Sequence, residues 1–274
     1  MRRRAENGTV LLGRQVILLV IGMGELTVFS CQTLYWLFKK GPRRGTMIES
    51  FYQIGVRSLP VVALTGIFIG MVLAVQSYAQ FEMLGMETRL GAVINMALVR
   101  ELGPVLAATM LAGRVGSAMA AELGTMRVTE QVDAISSMGV DPIHYLVVPR
   151  FLACLILIPA LSTVADFMGV VGGALYGVTL LGIDKHHYFQ NSESFIGFFD
   201  IFAGLFKSLF FGAAIALISC HRGFNCRPGA EGVGRAATAA FVLSFVAILF
   251  LDLLLGIGLE RFYNMIWGDA PKIM

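Results

Sequence analysis

The chain has 274 residues, of which 57% are hydrophobic and only 14% charged, with a formal net charge of +3. Ordinary soluble domains carry about 25% charged residues. A soluble fold of this length cannot hide so much apolar surface, so the composition excludes that class, and the small charge surplus points to no nucleic-acid partner. Mean hydropathy is +0.75, and several runs are long enough to cross a hydrocarbon core of about 30 Å. The reading is an all-α polytopic membrane protein.

The basic start "MRRR" is followed by polar residues with no small-residue cleavage site behind the next apolar run, so no cleavable signal peptide is expected. Asn7-Gly8-Thr9 is formally a glycosylation sequon, without meaning for a cytoplasmic terminus. The run 16–38 has the length of a span, but Arg14, Glu25 and Gln32 fall on one stripe at helical spacing. That pattern suits a helix lying in the interface with one face wet.

Five spans follow, at about 58–80, 91–113, 147–181, 196–220 and 236–258, helical because a lipid-exposed backbone must satisfy its own hydrogen bonds. The division is a basic N-terminus with interfacial helix, 1–45, and a membrane-spanning domain, 46–274. Lys and Arg number five in 39–57, three in 114–150 and three in 221–235, against one each in 81–90 and 182–195. The positive-inside tendency puts the richer set in the cytoplasm, with the N-terminus inside and the C-terminus outside.

Glycines and other small residues recur at four-residue spacing as Gly66/Gly70, Gly113/Ser117/Ala121 and Gly169/Gly173/Gly177. Each ridge lets another helix approach closely, within one subunit or across a homodimer seam. Charges also enter the apolar runs: Arg100 and Glu101, Asp166, Lys207 and Asp252. Each costs about 2.5–3.5 kcal/mol at a helix centre on insertion scales. Arg100, Glu101 and Lys207 read as the polar lining of an internal cavity, paired among themselves or meeting an anionic headgroup. Asp252 reads as an ion-paired or snorkelling charge. Pro104, after Gly103, is expected to break the second span locally.

No motif for energetic work is present. The nearest string to a phosphate-binding loop, "GAEGVGRA" from Gly229, has Arg235 and Ala236 where lysine and a hydroxyl belong. The four cysteines make no disulfide framework, and Cys220-His221 with Cys226 lacks a zinc spacing. No metal site and no cofactor bound by this chain are expected, and any energy must come from another subunit.

Between the second and third spans lies "TMRVTEQVDAISSMGVDP", residues 125–142. Val128, Val132 and Ile135 make one apolar face, with Arg127, Glu130, Asp133 and Ser137 on another and Arg127–Glu130 as an i, i+3 pair. Thr125 is the predicted N-cap, Gly139 an αL stop, and Pro142 prevents continuation. The residues alone leave two readings, a solvated connector or a docking knob.

The block "LVRELGPVLAATMLAGRVGSAMAAELGTMRVTEQVDAISSMGVDPIHYLVVPR" (98–150) resembles the signature region of the MlaE family, the permease subunits of MCE-type ABC lipid transporters. "GIFIGMVLAVQSY" (66–78), "IDKHHYF", "LFKSLFFG" and "GVGRAAT" agree in order and spacing, and the resemblance spans residues 45–258. It implies an interfacial N-terminal helix, five spans and a coupling helix at 124–138, seated in a groove of a cytoplasmic ATPase through Glu122, Gly124, Arg127, Glu130, Gln131 and Asp133. It also implies a homodimer holding phospholipid in an outward-opening cavity lined by Tyr78, Arg100, Glu101, Leu102 and Lys207. The implied partners are an MlaF-like ATPase carrying ATP and Mg, a periplasmic MlaD-like MCE-domain protein and an MlaB-like STAS-domain protein, all at a bacterial inner membrane. The permease itself would catalyse no covalent step. The alternatives are an ion-coupled secondary transporter using Arg100, Glu101 and Asp166 as a relay, and a scaffold without transport.

Overall fold

The computed structural model describes residues 8–39, 41, 44–86, 89–184, 188, 190, 192 and 195–268. Arg2 to Arg4, the Asn7 of the sequon, and Lys185, His186 and His187 of the "IDKHHYF" string lie outside the described residues. Among those described there is no strand. Five helical stretches are long and apolar enough to cross a membrane: Gly45–Met83, Leu90–Val128, Ile143–Thr179, Phe198–Phe224 and Ala230–Met265. The protein is an all-α polytopic membrane protein.

In chain order the α-helices are α1 (Gly8–Lys39), α2 (Arg44–Phe51), α3 (Leu59–Met83), α4 (Leu90–Ala97), α5 (Gly103–Leu111), α6 (Ser117–Val128), α7 (Gln131–Ser137), α8 (Val148–Thr179), α9 (Phe198–Phe224) and α10 (Ala230–Trp267). Among the described residues there are four π-helical turns: Tyr52–Val56, Leu98–Leu102 and Ala112–Gly116 join helical pieces of the first two spans, and Ile143–Val147 opens the third. Two of them are followed two residues on by proline, Pro104 and Pro149. A proline has no N–H for the carbonyl four residues back and its ring collides with that carbonyl, so a wider turn accommodates the ladder where a regular one would fail.

The centre of the fold is the seam between α3 and α8. A Cβ added at Gly70 would stand 1.9 Å from the Gly169 carbonyl oxygen, one at Gly172 2.2 Å from the Ile67 oxygen, and one at Gly66 2.6 Å from the Ala165 oxygen. Two of the sequence's small-residue ridges therefore pack against each other inside one subunit. The third does so as well: Gly113 faces Phe241 of α10. Beside this seam, the segment after α8 folds back and buries Tyr188 against Gly91, Gly173 and Gly177. Asn95 donates to Ser192 Oγ (2.9 Å), and Ser192 Oγ donates to the Tyr188 carbonyl (2.7 Å). Burial pushes the Tyr188 phenol up to about 12, against a hydrogen bond with Asn95 that lowers it, so the anchor stays neutral at physiological pH.

The N-terminal helix α1 lies against the bundle by its second half. Phe29 is buried with its ring 5.5 Å from that of His221, and the Trp36 ring lies tilted against His144 at 5.4 Å. Both partners sit at the end of the bundle that carries α7, here termed the α7 end. The second span differs most from expectation. Its apolar run ends near residue 113, yet the helix continues to Val128. Met119, Ala120, Leu123 and Gly124 keep a buried face along this extension, and the packing they provide carries the helix on past its apolar run.

Candidate functional site

The π turn Leu98–Leu102 carries the first two charges. Its hydrogen bond runs from the Gly103 N–H to the Leu98 carbonyl, five residues back. Helix α9 presses on this turn through Gly204, where a Cβ would come within 2.4 Å of the Val99 oxygen. That approach brings two α9 side chains to the charges of the turn.

Lys207 of α9 is 1% exposed. Its ammonium is in direct contact with a Glu101 carboxylate oxygen, and Asp252 Oδ1 of α10 lies 3.1 Å away. Arg100 stands 4.0 Å from Asp200 Oδ1, while the other oxygen of Asp200 accepts the Gly197 N–H at 3.0 Å. Two cations and three carboxylates from three helical elements thus form one network. A cation this deep persists only when paired and hydrogen-bonded, and two carboxylates share that duty. The Lys207 side chain is sealed, whereas 38% of the Arg100 and 45% of the Glu101 side chain remain open. Those two are the groups a ligand can reach. Asp252, read from sequence as a paired or snorkelling charge, is paired.

Tyr78 and Leu102, the latter in the same turn as the charges, pack on an apolar cluster of Ala74, Leu90, Ile94 and Leu98. Asp166 is not part of the network. Its carboxylate abuts Gly103, and it makes no ion pair with Arg100 or any other cation among the described residues. Asp200 was not legible as a site residue, because three positions after Gly197 it reads as an ordinary helix-start cap.

The stretch 125–142 differs from its sequence reading in two ways. Thr125 does not cap a new helix; it lies inside α6, and its hydroxyl donates to the Ala121 carbonyl at 2.8 Å. The break falls at Thr129–Glu130, where the buried face of α6 has ended, and Glu130 takes the left-handed conformation with φ 59°. The helix at 124–138 is therefore two pieces, the end of α6 and the two-turn α7. The break also takes Glu130 out of helical register with Arg127, which pairs with Asp133 instead. Gly139 does adopt positive φ, 76°, and Asp141 Oδ1 caps the next helix by accepting from Ile143 N–H (2.8 Å) and His144 N–H (3.2 Å).

Val132 is buried and Ile135 packs with it on Leu123 and Leu146. Arg127, Glu130, Gln131 and Asp133 face outward, with Met138 exposed beside them. Glu122 is tied to Arg150 at 3.0 Å, and Gly124 is buried against Cys226 and Val233. Because left-handed backbone costs a residue with a Cβ about 1–2 kcal/mol, Glu130→Gly is expected to raise the melting temperature in detergent by roughly 2–8 °C, and Glu130→Val to lower it. Equal melting of all three proteins would contradict the strained turn.

A family model described as Permease MlaE matches residues 47–257. A probable ABC transporter permease protein of Rickettsia bellii is 41% identical over 244 residues, covering 89% of this chain and 94% of the rickettsial protein. The intermembrane phospholipid transport system permease protein MlaE of Haemophilus influenzae is 39% identical over 212 residues, 76% of this chain and 80% of its own. The chloroplastic protein TRIGALACTOSYLDIACYLGLYCEROL 1 of Arabidopsis thaliana is 38% identical over 225 residues, 82% of this chain and 63% of its own.

Proposed function

Since the chain belongs to the MlaE permease family, we propose that it is the homodimeric membrane subunit of an ATP-driven transporter that moves phospholipid between a bacterial inner membrane and the outer envelope. In this reading α7 docks on a separate cytoplasmic ATPase, which carries ATP and Mg. The open sides of Arg100 and Glu101 face a cavity between two copies, and a periplasmic MCE-domain protein continues the lipid path. The N-terminus is cytoplasmic and the C-terminus periplasmic.

One observation carries the reading: a single helical span, Leu90–Val128, holds the charge network near one end and leads directly into α7 at the other. Arg100 and Arg127 are about 40 Å apart along it at 1.5 Å per residue. The span contains two π turns, Leu98–Leu102 and Ala112–Gly116, elements often found where helices serve function. A push on α7 therefore has a continuous path to the turn that presents Arg100 and Glu101. Those two groups suit a phospholipid head, with Arg100 for the phosphate. Leu102 and Tyr78 offer apolar surface nearby.

The test is co-purification. Reversing the outward charges with Glu130→Arg and Asp133→Arg is expected to leave the permease in the membrane but to abolish recovery of the ATPase and lipid transport. Recovery of the ATPase at the wild-type level, with transport intact, would falsify docking through α7. The ion-relay alternative needs Asp166 joined to Arg100 and Glu101; among the described residues Asp166 touches Gly103 and makes no ion pair.

A further inference from the structure

Three adjoining cavities at the α7 end meet on one side chain, Arg222. The first, about 290 Å³, is polar and lined by Arg222, Asn225, Arg227 and Arg235. The second, about 770 Å³, is an open groove running from Arg222 and Arg235 along α10 to Thr238, Val242 and Leu243. The third, about 320 Å³, is a crevice between α1 and the α9–α10 pair, walled by Met23, Leu26, Ile218, Val246 and Phe250. Arg222 and Leu243 belong to both the groove and the crevice, so the space is continuous from a basic mouth to an apolar floor.

The charges at the mouth do not balance. Glu231 pairs with Arg235, while Arg222 and Arg227 have no ion pair among the described residues. At the mouth three guanidinium groups thus face one carboxylate, while Glu25 of α1 is within electrostatic reach of His221 in the crevice wall. Guanidinium groups bind phosphate in a bidentate manner, and basic pockets between membrane helices are suited to anionic headgroups. The apolar part has a matching length: Val242 to Phe250 covers about 12 Å along α10 at 1.5 Å per residue, close to the ~15 Å half-thickness of a hydrocarbon core. A soluble protein partner could meet the arginines but could not fill a crevice between membrane-embedded helices.

We propose that this crevice holds one anionic phospholipid, distinct from any lipid at the Lys207 network. Its phosphate rests on Arg222 and Arg235 with Arg227 alongside, and its chains lie along Leu243, Val246 and Phe250 against Leu26 of α1. The site needs only that the chain lies in a bilayer, so it stands whether or not the protein transports lipid. Occupied, it joins α1 to the bundle through a molecule of the surrounding leaflet.

The test uses the full chain with its native partners in phosphatidylcholine nanodiscs, with spin-labelled phosphatidylglycerol or phosphatidylcholine as the probe. The wild type is expected to immobilise phosphatidylglycerol preferentially. Arg222→Gln with Arg235→Gln should weaken that preference roughly 25-fold, about fivefold per arginine. Arg227→Gln, at an exposed position, gives a smaller loss in a protein whose core is untouched. Ala247→Trp, which fills the crevice, should reduce phosphatidylglycerol retention without changing competition by inorganic phosphate. Gly258→Ala, on α10 outside the crevice with nothing within 4 Å of the added Cβ, should leave the preference as it was. A wild type that holds the two lipids equally would overturn the proposal, as would arginine variants that keep the preference. An Ala247→Trp protein with unchanged lipid retention would reduce the site to one for a free anion and overturn it too.

Discussion

Lys207→Met is expected to destabilise the protein by about 3–5 kcal/mol, the usual result of removing one partner from a buried ion pair. The figure should fall near the lower end, because Glu101 is partly open and solvent can take up its charge. Asp252 has no such relief: its side chain is 24% exposed, and it loses the ammonium 3.1 Å away. In thermal unfolding the change corresponds to a drop of roughly 6–12 °C for a chain of this size. The double variant Lys207→Met with Asp252→Asn removes the stranded charge and should recover most of the lost stability. It should not recover lipid transport if the network serves the cavity, because the arrangement that holds Glu101 is gone. Melting curves and a lipid-transfer assay on the three proteins separate the structural part of the network from the functional part. A single variant that melts like the wild type would show that Lys207 is not the buried centre of the network.

The second large effect is expected at Gly70. Even alanine there places a Cβ 1.9 Å from the Gly169 oxygen, well inside contact distance, so α3 and α8 must separate along their length. Overpacking a tight core typically costs about 1–3 kcal/mol and more where backbone must move. In a bilayer, helix association depends on such close approach rather than on burial from water. Gly70→Ala should therefore lower the amount of protein recovered from membranes several-fold, and Gly70→Leu should abolish its accumulation. Gly258→Ala is the matched control. It lies inside α10 with nothing within 4 Å of the added Cβ, and a helical glycine replaced by alanine gains up to about 1 kcal/mol. Immunoblots of membrane fractions measure both, and wild-type levels of Gly70→Leu would contradict the interlocked seam.

The five spans were legible because apolar runs of bilayer length report themselves. Their ends were not, because a helix stops where its packing stops. The second span outruns its apolar stretch to Val128 on the strength of Ala120, Leu123 and Gly124, small and apolar residues that look like loop approach in a linear reading. The same cause misled the cap at Thr125, a good capping residue placed where the helix had no reason to end. Gly139 was legible, since a positive φ is a local demand that a local residue meets. The network was half legible. Arg100, Glu101 and Lys207 stood out as charges in apolar surroundings, and Pro104 marked the turn that holds two of them. Asp200 did not stand out, because its service to Arg100 exists only after α9 has been brought to the turn by Gly204. The glycine ridges announced close approach without naming a partner; only the fold assigns Gly70 to Gly169 rather than to a second subunit.

The α3–α8 seam also sets what can be taken as stationary. Slipping α3 by one residue along α8 would set Ile69 or Met71 where Gly70 now meets a carbonyl, and neither side chain fits. The nearest permitted slip is a whole turn, about 6 Å, which would bring Gly66 to that place. Small displacements are thereby forbidden to this pair, and any rearrangement between resting and working states has to be made by other helices. Probes placed on α3 and α8 should report one unchanged separation through the working cycle. That separation is the ruler against which movement of α9, α10 and the second span can be measured.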